Sequence, residues 1–234
     1  MGDVHGCARE LERLLDRVAF VAGDRLVFVG DLVARGPDSR GVLDIARRTG
    51  AIIVRGNHED RLLSWRRARE AWMHGYAPEK VPIGRMHKAI ALGLRPVDWT
   101  LLETAPLHVE MPEHALAVVH AGIVPGVPLA EQRPSTLMRI RTVRVSAGGA
   151  HHDVLWGVAY GGPLHIVFGH NAQPGLQLHP FATGLDTACV YGGALTAMVL
   201  AEGQKIPRSR AARRRLLVAE PAERIHYDFT RKVA

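Results

Sequence analysis

Arg25-Leu26-Val27-Phe28-Val29-Gly30-Asp31 is a short apolar run that ends on a glycine and then a carboxylate. Such runs, rich in β-branched residues, read as strands buried on both faces of a sheet. Asp31 then stands at the carboxyl end of its strand, where open α/β sheets build their sites. The pattern recurs. Residues 52–54 lead to Gly56-Asn57-His58-Glu59, residues 116–119 to His120-Ala121-Gly122, and residues 164–168 to Gly169-His170. Gly2-Asp3-Val4-His5-Gly6 carries the same kind of ending at the start of the chain. Between these pieces, Leu11, Leu14, Leu15 and Val18 mark one face of a helix. Pro37-Asp38-Ser39 starts a second helix bearing Val42, Leu43 and Ala46, and residues 58–74 read as a third. Strand-helix alternation predicts an α/β fold, a parallel sheet with helices over its faces.

The rest of the chain is less regular. Residues 75–107, with Pro78, Pro82 and Pro96, read as a small helical insertion. Beyond them strands are expected at 107–111, 116–120, 164–168, 176–179, 195–200 and 224–229. Residues 125–152 read as a long irregular stretch forming a substrate-binding rim. Only Met1 and Gly2 precede Asp3, where the other site strands have four or five apolar residues. This predicts that the native start lies upstream of Met1, or that the chain has been trimmed.

With 234 residues, 47% hydrophobic and 23% charged, the chain suits a single domain over 1–234 with a real core. It has no run long enough to span a membrane and no charged-then-apolar leader, so a soluble, cytoplasmic protein is expected. Cys7 and Cys189 are too few for a disulfide framework and fit a reducing compartment. The net charge of +7 favours anionic partners. Part of it is local: Arg208, Arg210, Arg213, Arg214 and Arg215 crowd a basic C-terminal segment at about 205–234. These read as a solvated face. No aromatic residues interleave with them, so nucleic acid is not the expected partner.

The strand-end residues supply two Asp, one Asn and three His, an oxygen-and-nitrogen donor set that suits Mn, Fe or Zn. Asp31, at a strand tip, can bridge two ions. Asp3 and His5 converge on one of them, and Asn57, His120 and His170 serve the other. Two adjacent divalent ions activate a bridging water and clamp a phosphoryl group. His58, beside Asn57, is placed as a general acid. Arg35, four residues past Asp31, is placed to grip a phosphate. Arg139 and Arg141 would face one side of an extended rim and hold further phosphates, and Tyr191 would approach the substrate.

GDVHG, GDLVARGPDS, RGNHE, HAG and GH resemble the calcineurin-like metallophosphoesterases, specifically the branch of PPP-type protein phosphatases and symmetrical diadenosine tetraphosphatases (the ApaH type). The match spans residue 2 to about residue 200. It implies the metallophosphoesterase fold, a β-sandwich flanked by helices. It also implies two divalent metal ions, usually Mn²⁺, with Fe, Co, Ni or Zn as alternatives. Carried over, Asp3, His5 and Asp31 hold the first metal, and Asp31, Asn57, His120 and His170 the second, with His58 as acid and Arg35 on phosphate. Where many members have a GH-x-H pair, this chain reads Gly169-His170-Asn171-Ala172. Protein phosphatases carry GDxVDRG, whose second Asp orients the catalytic histidine; here Ala34 stands in its place. The chain is short for the best-known bacterial diadenosine tetraphosphatase form, and Glu59 replaces the Asp expected in that form. The GDLVARGP wording and residues 185–196 point to symmetrical hydrolysis of diadenosine tetraphosphate and related dinucleoside polyphosphates to nucleoside diphosphates. The alternative is a Ser/Thr (or Tyr) protein phosphatase acting on phosphoproteins. A binding module without chemistry would leave these residues idle, and nucleic-acid phosphodiester cleavage is a further alternative suggested only by the basic tail.

Overall fold

The computed structural model describes residues 1–76, 82–147 and 149–228. In its first part, α1 (Ala8–Arg17), β1 (Val27–Phe28), α2 (Ser39–Arg48), β2 (Ile52–Ile53) and α3 (Asn57–Met73) alternate as expected. Two helices follow in the insertion, α4 (Arg85–Gly93) and α5 (Pro96–Glu103); Pro78 of that insertion lies outside the described residues. Then come β3 (His108–Met111), β4 (Leu116–Val119), α6 (Pro134–Arg139), β5 (Thr142–Ala147) and β6 (Ala150–Leu155). The last part holds α7 (Trp156–Ala159), β7 (His165–Phe168), β8 (Gln177–Leu178), β9 (Ala182–Gly184), β10 (Ala194–Met198), α8 (Arg210–Arg214) and β11 (Leu217–Pro221).

Two sheets face each other. One has the order β3-β4-β7-β9-β8, with β4, β7 and β9 parallel and an antiparallel strand at each edge. In the other, β1 pairs parallel with β2, and β10 antiparallel with β11. Met1 and Gly2 bridge these two pairs: Val29 N–H donates to the Met1 carbonyl at 3.0 Å, and Gly2 N–H to the Thr196 carbonyl at 2.8 Å. Asp3 is thereby held between the ends of β1 and β10.

Side-chain alternation builds three apolar layers. Val29, Val54, Leu116, Val118, Val167 and Leu185 fill the space between the sheets. Residues one position away point outward. Phe28, Ile53, Leu195 and Ala197 pack under Leu11 and Leu14 of α1, Val42 and Leu43 of α2, and Leu62 of α3. On the far side, Val119, Ile166 and Phe168 pack under Leu137, Trp156 and Tyr160. Each fully buried Val, Leu or Phe contributes about 1.5–3 kcal/mol, so this layering holds the strand ends in register.

Three expectations need correction. The final strand is β11, not 224–229. Its five residues pair with every residue of β10. His226 and Tyr227 instead donate their amides to the Val190 carbonyl, and Phe229 lies outside the described residues. The stretch 125–152 is not irregular throughout, because it holds α6 and one strand of the β5–β6 hairpin, with Val143 opposite Val154. The arginine segment is not wholly solvated. Arg213 is fully buried, and its guanidinium donates to the His179 (2.5 Å), Ala182 and Arg208 carbonyls and to Thr183 Oγ1. No helix among the described residues is long and apolar enough to cross a membrane.

Candidate metal centre

The strand ends bring Asp31 to the middle of the site. Its backbone φ is +51°, and His5 (+48°) and His170 (+68°) share this left-handed conformation. Non-glycine residues pay about 1–3 kcal/mol for such backbone, which persists where surrounding contacts over-determine it. Here one contact is Glu59, a residue whose role the sequence did not reveal. Fully buried in the first turn of α3, its carboxylate accepts the amides of Asp31, Leu32, Val33 and Gly56 at 2.9–3.2 Å. The only signal was an acidic residue at the third helical position, a place for capping.

Asp31 Oδ1 accepts the His58 backbone N–H at 3.0 Å. Its Oδ2 faces three imidazole Nε2 atoms: His120 at 3.5 Å, His5 at 3.6 Å and His58 at 3.9 Å. The backbone fixes the tautomers. His5 Nδ1 meets the Val33 carbonyl at 3.1 Å and His120 Nδ1 the Val29 carbonyl at 2.9 Å. Each ring therefore donates from Nδ1 and turns Nε2 inward, the arrangement by which proteins orient metal-binding histidines. His170 is tied to the Arg139 backbone and packs edge-on to His120, with ring centroids 5.1 Å apart.

Two donor groups result, His5-Asp31-His58 and Asp31-His120-His170, each with ligand atoms all within 4.8 Å of one another. Asp31 belongs to both. Asn57 joins the second through its Oδ1, 3.1 Å from His120 Nε2. Asp3 lies against the other end of the cluster, its carboxylate accepting the His170 N–H at 3.0 and 3.2 Å. Four of the six expected ligands, His5, Asp31, His120 and His170, thus fall in these groups, with Asn57 and Asp3 at their edges; the group at His5 holds His58 where Asp3 was expected. A Cβ on Gly169 would overlap Asp3 Oδ1 and one on Gly56 would overlap Asp31 Oδ1, which explains the glycines beside these residues.

The charge balance fits divalent cations. Burial, and then the neighbouring Asp186, push Asp3 well above the carboxylate range, and burial lifts Asp186 itself to about 6. Although burial opposes ionisation of His120, Asp31 beside it raises this imidazole to about 10. Such a centre is short of positive charge. Hard and borderline divalent ions match its oxygen and nitrogen donors.

On the substrate side, Arg35 Nη1 lies 2.7 Å from His5 Nε2, and its guanidinium covers the Tyr191 ring at 5.5 Å. His58, 7% exposed, meets His87 of α4 through Nδ1 at 2.9 Å. Nothing in the sequence singled out His87. Arg139 and Arg141 are not an extended pair: Arg139 closes α6 and approaches Asp60 at 3.7 Å, and Arg141 precedes β5. Both are exposed, and Arg141 is near enough to His170 to act on its charge.

Among proteins of known name, the chain is 30% identical over 215 residues to the asymmetrical bis(5'-nucleosyl)-tetraphosphatase PrpE of Halalkalibacterium halodurans, covering 85% of this chain and 87% of that one. It is 38% identical over 203 residues to the symmetrical bis(5'-nucleosyl)-tetraphosphatase of Shewanella baltica strain OS195, covering 85% of this chain and 65% of that one. A crystal structure provisionally named a diadenosine tetraphosphatase superposes with a TM-score of 0.75 at 32% identity, covering 94% of this chain and 91% of that one. The calcineurin-like phosphoesterase model matches residues 1–198, and the chain belongs to that family of metal-dependent hydrolases.

Proposed function

We propose that this protein hydrolyses dinucleoside polyphosphates, cutting diadenosine tetraphosphate symmetrically into two molecules of ADP. The observation that carries this reading is the position of Asp31 Oδ2, facing donors of both groups at once. Asp3, His5 and Asp31 would hold one divalent ion and Asp31, Asn57, His120 and His170 the other, with Mn²⁺ the proposed occupant. When bound, such a pair supplies a water nucleophile at neutral pH and neutralises phosphate charge.

The remaining steps belong to side chains. Arg35 reaches from the rim and takes phosphate oxygens in a two-pronged grip, with Tyr191 supporting its guanidinium. Water attacks an internal phosphorus and the bridging P–O bond breaks. His58 gives its Nε2 proton to the departing ADP oxygen. Burial holds His58 down to about 2 in the free protein, and the negative charge of an arriving polyphosphate raises it. Arg139 and Arg141, exposed and close to His170, would take distal phosphates of a long substrate. The protein-phosphatase alternative is weaker, because buried Ala34 offers His58 no carboxylate. Cys7 and Cys189 are free, and we place the protein in the reducing cytoplasm.

Asymmetrical cleavage is the second reading, favoured by the nearly full-length match to PrpE. The test is product analysis after incubation with Mn²⁺ and diadenosine tetraphosphate, beside a phosphopeptide. ADP alone supports the symmetrical cut, and AMP with ATP supports the asymmetrical one. A phosphopeptide preferred by kcat/KM would overturn both.

A further inference from the structure

The proposed acid does not stand alone. His58 Nε2 faces Asp31 across the site, so Nδ1 is the edge by which the protein can hold the ring. That edge meets His87 Nε2 at 2.9 Å, with the two ring planes inclined by 19° and their centroids 4.9 Å apart. His87 is 5% exposed and belongs to α4 of the insertion. The same helix touches the phosphate-gripping residue, because the Arg35 N–H donates to the Met86 sulfur at 3.0 Å.

We propose that His87 is a positioning residue for His58, fixing the ring and proton of the general acid through an imidazole–imidazole hydrogen bond. This rests on the hydrolase reading above. The chemistry of the pair supports it. In the neutral pair one proton lies between the two nitrogens. When His87 Nε2–H donates, His58 Nδ1 accepts, and His58 must carry its own proton on Nε2, facing the leaving group. When His58 is charged, its Nδ1–H donates to His87, which keeps its proton on Nδ1. His87 can serve both states as long as it is itself neutral. Burial, then the nearby Arg61 and Arg35, push its pKa down to about 4.

The experiment compares wild type with His87→Ala and His87→Gln on phenyl phosphate, p-nitrophenyl phosphate and diadenosine tetraphosphate. p-Nitrophenolate departs without a proton, and ADP, whose terminal phosphate has a second pKa of about 6, gains little from one. Phenolate, with a pKa of about 10, gains strongly. Metal content and thermal unfolding are recorded for each variant. In the alanine variant kcat on phenyl phosphate should fall roughly 10- to 100-fold. KM and kcat on p-nitrophenyl phosphate should stay within about twofold, because only a transition-state interaction is lost. Glutamine, which can place an amide near the lost Nε2, should recover part of the loss. If both aryl esters slow equally, or neither slows, the proposal is overturned. Should alanine prevent folding, the ester ratio of the glutamine variant decides by the same criterion. Wild-type hydrolysis of the aryl esters without the dinucleotide would sink the substrate reading and leave the ratio interpretable.

Discussion

Gly30 offers a controlled test of how the strand end holds its histidine. It sits at φ +108°, and a Cβ there would lie 2.7 Å from His120 Nδ1, 2.8 Å from the Gly56 nitrogen and 2.9 Å from the Val54 carbonyl. Gly23 has almost the same φ, +106°, and a Cβ there would meet nothing within 4 Å. Alanine at either place bears the backbone strain, about 1–3 kcal/mol. Only at position 30 must something else give. To reach ordinary contact at 3.4 Å the His120 ring must retreat by roughly 0.7 Å, and that ring is fully buried. Such overpacking typically costs a further ~1–3 kcal/mol. Retreat also breaks the 2.9 Å bond from Nδ1 to the Val29 carbonyl that turns Nε2 inward. Loss of such a supporting bond weakens metal binding by about 10- to 100-fold. Gly23→Ala should therefore lose about 1–3 kcal/mol in urea unfolding of chelator-treated protein and keep its metal affinity, whereas Gly30→Ala should lose about 2–6 kcal/mol and bind Mn²⁺ more weakly in calorimetry. Equal losses and equal affinities in the two variants would refute the reasoning.

Asp186 gives a pH-dependent prediction. Burial raises its folded pKa from 3.8 to about 6, so its ionisation destabilises the metal-free fold as pH rises between those values. Asp186→Asn removes this loss, and the variant should gain on the order of 3 kcal/mol over wild type between pH 4 and pH 7, read from urea midpoints with chelator present. Glu59→Ala leaves the amides of Asp31, Leu32, Val33 and Gly56 without their acceptor. At a minimum of about 1 kcal/mol each, unfolding should fall by roughly 4 kcal/mol, and Glu59→Gln, which keeps one oxygen, should recover about half. Arg35→Ala should lower kcat/KM on diadenosine tetraphosphate by about 10²-fold while the protein still holds two equivalents of metal; an unchanged kcat/KM would remove Arg35 from phosphate binding.

The candidate donors Asp31, Asn57, His120 and His170 were legible because each needs only local information: a short apolar run and a donor at its end. Asp3 and His5 were legible from the donor spacing and flanking glycines alone. The helices over 8–17 and 39–48 were legible for the same reason, since an amphipathic face repeats within the segment itself. The β5–β6 hairpin was missed although Val143, Val145 and Val154 alternate with polar residues, because its outer side is solvated and the alternation is diluted. The last strand was misplaced because β11 is defined by its pairing with β10, a partner some twenty residues away in sequence.

What the amino-acid order alone determined was the oxygen-and-nitrogen donor chemistry and its placement at strand ends, hence a calcineurin-like phosphoesterase. What only the tertiary structure decided was which partners these elements find: Glu59 under the Asp31 loop, His87 behind His58, and Arg213 across the carbonyls of His179 and Ala182. The physical reason is that hydrogen bonding and burial act through space. His87 lies 29 residues from His58 and Arg213 lies 34 from His179. A lone His or Arg carries no mark in sequence of the partner that folding will bring to it.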